Sequence, residues 1–344
     1  MEFSGQLVKD IKTLLNYFEY SQWTFKPNFD LIANLPIITR DDLRNTKMVK
    51  GIYTKKTSGS TGEPVTIEKY YSDYVWYIAT NIREFRWRKW DVTKTIANIQ
   101  SSNKRSILSS WGIPKEIEPI QGKQYLNGFE PISVLQKWLE DMNPHYIQAT
   151  PTIIKQLDLS KISNYIDHKG SGELGGSMYS SEECGTIAIQ CPDNPNMMHV
   201  MENIIVEVET DGSILITTTT NPYIKRYKHG DHIELGECTC GRTLQTIKKI
   251  NGRIRNMFVM PNGDKKWLMI GSRSFYDDFG IIQYKAIQTS LNTLELYIIC
   301  EPLGEREKEL KELVLKWLNS PIEIIIKYVD SFPNYKFEEF ISLV

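Results

Sequence analysis

A run of small polar residues that begins at Thr57 has the composition of an anion-binding loop. Hydroxyl groups can donate hydrogen bonds to phosphate oxygens, and glycines let the backbone turn successive N–H groups toward an anion. The run contains Thr57, Ser58, Gly59, Ser60, Thr61 and Gly62. It is not a Walker loop, because no Gly-Lys-Ser/Thr closes it. Composition alone is equally compatible with a Ser/Gly linker, so other motifs must decide between the two.

Four cysteine and histidine residues have the chemistry of a zinc site. Cys238 and Cys240 are separated by one residue, and Cys191 and His199 form a second pair upstream. Three thiolates and one imidazole suit tetrahedral zinc, so we predict a structural zinc ion held by these four residues. The alternative is a set of buried free thiols. The total of five cysteines is odd and argues against a disulfide framework.

The loop and three later segments resemble, in order, the motifs of the adenylate-forming enzymes, a superfamily that includes the acyl-CoA synthetases. TSGSTGEP is similar to their phosphate loop, and Val65 stands where many members have lysine. That departure is typical of the phenylacetate-CoA ligase and CapK-like branch, which also carries a similar Cys-x-Cys-Gly. The resemblance covers roughly residues 57 to 257. It implies that the loop holds pyrophosphate transiently.

Two of these segments imply a site for the nucleotide base and its metal. In SGEL, Gly172 and Glu173 resemble a turn that lines the adenine pocket. In YSSEE, the resemblance places Tyr179 against adenine and assigns Glu183 to Mg²⁺. Glu182 stands where relatives have a hydroxyl residue, which puts a second negative charge beside the nucleotide. The overlapping GSGELG also matches a dinucleotide-binding pattern, which we reject because NYIDHK is a poor strand and GSMYSSEE a poor helix.

The remaining motifs imply contacts to the ribose and phosphates. Asp231 falls where relatives bind the ribose hydroxyls, and a carboxylate can accept two hydrogen bonds from a cis-diol. Arg253 matches an arginine that reaches ribose and phosphates, although Arg255 replaces the aspartate of the hinge. Lys336 resembles a catalytic lysine of the mobile domain, and a solvated tail lysine is the alternative. The residues alone suggest no acid-base companion for His229.

The elements that position these residues follow from hydrophobic periodicity. Thr39 is a plausible helix start, residues 71–90 have helical spacing, and residues 204–220 alternate as a β-hairpin. After Gly252 the pattern predicts three strands and a helix. Together with the resemblance, this predicts an α/β adenylate-forming fold. Residues 1–253 are the expected large N-terminal AMP-binding α/β domain, and residues 254–344 the small mobile C-terminal α+β lid domain.

Composition narrows the classes of partner. Lys plus Arg (41) nearly equal Asp plus Glu (42) among 344 residues, so the chain lacks the basic field of nucleic-acid-binding proteins. No apolar run is long enough for a membrane span, and no secretory signal opens the sequence. We therefore expect a cytoplasmic protein with no nucleic-acid or membrane partner. Relatives imply a monomer or homodimer.

These observations predict an acyl-adenylate-forming ligase of the phenylacetate-CoA ligase type. ATP and Mg²⁺ would activate a carboxylic acid as its adenylate, and the acyl group would pass to a thiol. CoA and the phosphopantetheine of an acyl carrier protein are both suitable acceptors. Transfer to an amine, which makes an amide, is an alternative. A non-catalytic nucleotide-binding or interaction protein is another, because Glu182, Arg255 and the displaced Lys336 are changes that a decayed enzyme would carry.

Overall fold

The computed structural model describes residues 4–56, 65–100, 103–128, 132–149, 151–170, 177–253, 257–263, 265–267, 275, 278–281, 283–331 and 338–344. The chain divides into two compact units. One comprises Met1–Pro151 with Leu159–Ile250, and the other Thr152–Asp158 with Asn251–Val344. The expected boundary at 253/254 between functional domains stays a prediction.

The helices begin at residues whose side chains satisfy free backbone N–H groups. Ser4 accepts a hydrogen bond from the Leu7 N–H, and Thr39 forms a reciprocal capping box with Asp42, as its position in the sequence predicts. The helices are α1 (Gly5–Thr24), α2 (Arg40–Asn45), α3 (Tyr71–Trp87), α4 (Ile132–Met142), α5 (Pro151–Gln156) and α6 (Glu307–Leu318). Across the described part of the chain, no helix combines the length and apolar character that a bilayer crossing requires.

A short hairpin flanks the position of the expected phosphate loop. Its strands β1 (Tyr53–Lys56) and β2 (Thr66–Lys69) pair antiparallel, with Lys56 opposite Thr66. Val65 and Ile67 are buried in the same apolar cluster as Tyr179. The hairpin is thereby packed against the segment that carries the second expected nucleotide motif.

The next five strands form a mostly parallel sheet. They are β3 (Ile96–Ile99), β4 (Ser106–Leu108), β5 (Gln124–Asn127), β6 (Tyr146–Gln148) and β7 (Asp167–Lys169). Their order is β4-β5-β3-β6-β7, and only β4 is antiparallel to its neighbour. Strand β7 corrects the expectation that NYIDHK forms no strand. The dinucleotide interpretation still fails, because a strand and not a helix is the next described element.

A buried ion pair joins the helices that cover this sheet. Side chains of α1 and α3 pack with Ile96 and Tyr146 in one apolar cluster. Beside it, the Arg83 guanidinium donates to both carboxylate oxygens of Glu202 at 2.7 and 2.8 Å. The two side chains are 3% and 1% exposed. Ser21 of α1 donates to the same carboxylate, so the pair holds α1, α3 and the chain near Glu202 together.

A seven-stranded sheet carries the expected site residues Tyr179, His199 and Asp231. Its strands are β8 (Met178–Ser181), β9 (Gly185–Gln190), β10 (Met198–Val200), β11 (Ile204–Val208), β12 (Ser213–Thr218), β13 (Tyr227–Leu235) and β14 (Thr246–Arg253). The order is β11-β12-β13-β14-β10-β9-β8. The predicted hairpin is confirmed as β11 and β12, which pair antiparallel, and Gly212 adopts the positive φ of +83° that its turn requires.

The second unit contains a helix-covered sheet with one strand more than expected. The later part of the chain contains the strands β15 (Met257–Val259), β16 (Lys265–Trp267), β17 (Gln283–Ser290), β18 (Thr293–Ile299), β19 (Glu323–Tyr328) and β20 (Glu338–Ser342). Four of them are ordered β19-β18-β17-β20, where we predicted three. The additional strand, β20, pairs parallel with β17. On α6, Leu310, Val314 and Leu318 are fully buried, as the helical spacing predicts.

Candidate functional site

The first part of the site is the turn between β8 and β9. This turn places the Glu183 carboxyl group in the interior, where the residue is 3% exposed. Oε1 of Glu183 lies 3.4 Å from Nη1 of Arg40 and accepts a hydrogen bond from the Tyr227 hydroxyl at 3.3 Å. A buried carboxylate oxygen is a suitable ligand for Mg²⁺, so the residue fits the role that the resemblance gives it.

The neighbouring Glu182 has a cationic partner. Its carboxylate lies 3.5 Å from Nζ of Lys55, and both side chains are about half exposed (48% and 49%). On β2, the buried Lys69 donates from Nζ to the Glu183 carbonyl at 2.8 Å. The hairpin that flanks positions 57–64 is therefore attached to the Glu182–Glu183 turn at two points. Sequence reasoning missed both lysines, because Lys69 and Glu183 are 114 positions apart.

The second part of the site lies on β13. Tyr227, His229 and Asp231 are buried on this strand, and the His229 ring contacts both of the other side chains. The Tyr179 hydroxyl donates to Oδ2 of Asp231 at 2.7 Å. Because β14, β10 and β9 separate β13 from β8 in the sheet order, the sheet must be strongly curved to bring these side chains together.

His229 belongs to this site, although the sequence suggested no companion for it. Its Nδ1 lies 3.1 Å from Oδ2 of Asp231 and 3.4 Å from the Tyr179 hydroxyl oxygen. His229 is 7% exposed and Asp231 is 8% exposed. The available signal was the i, i+2 spacing of a histidine and an aspartate on a strand, since that spacing places both side chains on one face.

The four expected zinc ligands converge in the first unit. The ligand atoms of Cys191, His199, Cys238 and Cys240 all lie within 4.8 Å of one another. Sγ of Cys238 is 3.7 Å from Sγ of Cys191, and Sγ of Cys240 is 3.3 Å from Nε2 of His199. With Zn–S bonds of about 2.3 Å, two thiolates of a tetrahedral site are about 3.8 Å apart. The donor set and its spacing therefore fit zinc.

The protonation of His199 also suits a metal ligand. Burial, with the nearby Arg242 and Arg83 cations, lowers the pKa of His199 to about 4, so the imidazole is neutral at pH 7. Its Nδ1 lies 3.4 Å from the Thr246 hydroxyl oxygen, which donates in turn to the Leu244 carbonyl. This arrangement fits a proton on Nδ1 and leaves the Nε2 lone pair directed at the cysteines.

The surroundings of two of these cysteines shift their thiol pKa values in opposite directions. Burial raises the pKa of Cys191 to about 12. For Cys240 burial is the largest single influence and acts in the same direction, but the hydrogen bonds with the Arg242 backbone and side chain and with Cys238 and Cys191 together outweigh it and lower the pKa of that thiol. The Cys240 thiol therefore loses its proton more readily than an ordinary cysteine, which suits a metal ligand.

Several expected site residues lie outside the described residues. They are the loop Thr57, Ser58, Gly59, Ser60, Thr61 and Gly62, the pocket residues Gly172 and Glu173, Lys336, and the side chain of Arg253. Their expected roles stay predictions. The described residues bring Glu183, Tyr179 and Asp231 into one connected site.

Solved structures of known proteins share this architecture. No protein-family model and no curated protein matches the chain. 2-Hydroxyisobutyryl-CoA ligase, in the postadenylation state in complex with 2-HIB-AMP, matches 96% of this chain and 87% of its own, with a TM-score of 0.61 and 17% identity. The chain has the fold of adenylate-forming CoA ligases. The α/β fold class that we predicted is thereby confirmed.

Two further structures with this fold match a smaller share. O-succinylbenzoate coenzyme A synthetase from Bacillus subtilis, in complex with AMP, has a TM-score of 0.52 and 12% identity over 82% of this chain and 66% of its own. The anthranilate CoA ligase AuaEII, in complex with anthranoyl-AMP, has a TM-score of 0.55 and 12% identity over 82% of this chain and 63% of its own. The chain spans about two thirds of the length of each of these proteins.

Proposed function

We propose that the chain activates a carboxylic acid with ATP as an acyl-adenylate and then transfers the acyl group to a thiol. The acceptor would be CoA or the phosphopantetheine of a carrier protein. The observation that supports this function best is the single buried site formed by Glu183, Tyr179 and Asp231, within a fold whose solved examples include complexes with acyl-AMP and with AMP.

In this proposal each part of the site binds one part of the nucleotide. Tyr179 contacts the adenine, Asp231 accepts hydrogen bonds from the ribose, and the residues from Thr57 to Gly62 contact the leaving pyrophosphate. Gly172 and Glu173 line the base pocket, and Arg253 reaches ribose and phosphate. Glu183 holds Mg²⁺, which supplies positive charge at the phosphates. These contacts would orient the substrate carboxylate for attack on the α-phosphorus, with pyrophosphate as the leaving group.

Activation by adenylation explains why two steps are needed. A carboxylate is a poor electrophile, whereas the mixed anhydride with AMP carries a good leaving group that a thiol can displace. Lys336 is proposed to neutralise the charge that develops on the α-phosphate and pyrophosphate during the first step. We propose a phenylacetate-CoA ligase-like enzyme, on the strength of Val65 in place of the lysine and the Cys-x-Cys-Gly motif.

We also propose a structural zinc ion on Cys191, His199, Cys238 and Cys240. These residues follow β9, lie on β10 and follow β13, so a metal would join three strands of the curved sheet. The same strands lead to Glu183 and Asp231. The ion would therefore stabilise the curvature on which the nucleotide site depends.

Two other functions compete with this proposal. Transfer to an amine would use the same site for the first step and differ only in the acceptor. A protein that binds nucleotide without catalysis would keep Asp231 and Tyr179 but release no pyrophosphate. A cytoplasmic location and a monomeric or homodimeric state remain predictions.

The test is pyrophosphate release with hydroxylamine as an acyl trap, measured across aryl, fatty, hydroxy and amino acids. We expect turnover with one class of acid. Glu183→Gln should lower the rate about 10²-fold or more, because a neutral amide is a poor Mg²⁺ ligand. The matched control is Glu207→Gln on β11, whose carboxylate pairs with Arg226.

Three outcomes separate the candidate functions. Hydroxamate from one acid class, lost in Glu183→Gln and kept in Glu207→Gln, supports adenylation. Amide formation with a natural amine but no thioester with CoA or a carrier would favour the amide-forming alternative. If ATP binds but no pyrophosphate is released in the presence of any acid or carrier, the non-catalytic protein is favoured.

A further inference from the structure

Two buried side chains converge on one oxygen of Asp231. The Tyr179 hydroxyl donates to Oδ2 at 2.7 Å, and Nδ1 of His229 lies 3.1 Å from the same oxygen. Tyr179, His229 and Asp231 are 5%, 7% and 8% exposed. Hydrogen bonds to a carboxylate are strong and directional where water is largely excluded. Oδ2 therefore accepts a hydrogen bond from a residue of β8 and lies within donor distance of a ring nitrogen on β13.

The His229 ring is itself held in place. The ring of Tyr179 meets it edge-on at a centroid distance of 6.0 Å, and the ring of Tyr227 does so at 6.2 Å. Nε2 of His229 is buried and has no hydrogen-bond partner among the residues that the structure describes. The polar contacts of the ring are those of Nδ1. A ring with a proton on Nδ1 can donate that proton to Asp231.

The same contacts connect Asp231 with Glu183. Tyr227 packs against His229 and donates its hydroxyl to Oε1 of Glu183. The sequence of contacts runs from Asp231 through His229 and Tyr227 to Glu183. The two carboxylates of the site therefore have their orientations fixed by one group of packed rings.

We propose that Tyr179 and His229 are positioning residues that clamp the Asp231 carboxylate for the two ribose hydroxyls of a nucleotide. This inference rests on the proposed function in assigning Asp231 to the ribose. Without the clamp the carboxylate rotates about χ2 and loses that freedom when the nucleotide binds. With the clamp this ordering is complete before binding, so the affinity for the hydroxyl groups is higher.

The experiment compares ATP with 2′,3′-dideoxy-ATP, which lacks both ribose hydroxyls. Dissociation constants for both are measured by calorimetry on the full chain. For wild type we expect the dissociation constant of 2′,3′-dideoxy-ATP to exceed that of ATP roughly tenfold or more, because hydrogen bonds to a charged group are worth about that much. The ratio of these two dissociation constants is the quantity that the variants should change. His229→Leu should lower this ratio roughly three- to tenfold by weakening ATP alone. His229→Asn, which keeps a donor near the position of Nδ1, should retain most of it.

Two more variants separate positioning from folding. Tyr179→Phe keeps the ring and removes the second donor, so it should also lower the ratio. The matched control is His232→Leu, a buried histidine next along the chain from Asp231 whose ring lies near Gly212. It should preserve the ratio even if the protein becomes less stable. If His229→Leu does not fold, Tyr179→Phe decides the question.

The outcomes distinguish this inference from the proposed function. An equal loss of ATP and dideoxy-ATP affinity in His229→Leu, or a wild type that does not discriminate between them, overturns the clamp. A wild type that binds no nucleotide overturns both ideas. A wild type that discriminates, loses the preference in His229→Leu and yet releases no pyrophosphate supports the clamp and overturns adenylation.

Discussion

At the scale of single residues, an ion pair explains how the chain tolerates an acidic departure from the motif. Glu182 puts a second negative charge beside Glu183, and Lys55 lies 3.5 Å from it. The pair is about half exposed, so it contributes little to stability. In the proposed function its importance lies in the charge near the nucleotide phosphates, because Lys55 comes just before the expected phosphate loop.

Glu182→Thr should improve ATP binding. The change removes one negative charge and restores the hydroxyl that relatives carry, so we expect the KM for ATP to fall roughly two- to tenfold. Steady-state pyrophosphate release measures it, and the thermal midpoint should be unchanged. Glu234→Thr is the matched control, because Glu234 lies 3.5 Å from Lys249 with nearly the same exposure. A higher KM in Glu182→Thr would mean that the carboxylate helps to bind metal.

At the scale of elements, the zinc cluster should determine how stable the curved sheet is. We expect about one zinc per chain after dialysis, and we expect Cys238→Ser to lose it and lower the thermal midpoint by about 5 °C or more. Metal analysis and thermal unfolding measure the two effects. Cys300→Ser, at a partly exposed cysteine outside the cluster, is the control. Substoichiometric zinc together with unchanged stability in Cys238→Ser would instead indicate free thiols.

The elements also mark what could be predicted from the sequence. Alternation identified the β11–β12 hairpin, and helical spacing identified α3 and α6, because each depends on local periodicity. The convergence of Cys191, His199, Cys238 and Cys240 could be predicted because few residue types bind zinc. The contact of Tyr179 with Asp231 could not, since 52 positions and three strands separate the two residues. Strand β20 was missed because its five residues are too few for a clear periodic signal, and its pairing with β17 is not visible in the sequence.

At the scale of the whole molecule, the role of the C-terminal unit can be tested through Lys336. Lys336→Gln should slow pyrophosphate release about 10²-fold, because a positive charge is lost at the leaving group. Transfer of the acyl group from synthetic acyl-AMP to the thiol should be unaffected. Rapid-quench measurements of the two half-reactions check this. Lys316→Gln, at an exposed lysine of α6, is the control, and equal rates in the two variants would identify Lys336 as a solvated tail residue.

The buried pair of Arg83 and Glu202 restricts how the sequence of this protein can change. Replacing either residue alone leaves an uncompensated charge in the interior, at a cost of about 3–5 kcal/mol. That is a large part of the 5–15 kcal/mol that typically separates folded from unfolded chains. A path of single substitutions therefore passes through an intermediate that is less stable by about 3–5 kcal/mol. Among homologous sequences the two positions should vary together, with a matched apolar pair as the accessible alternative.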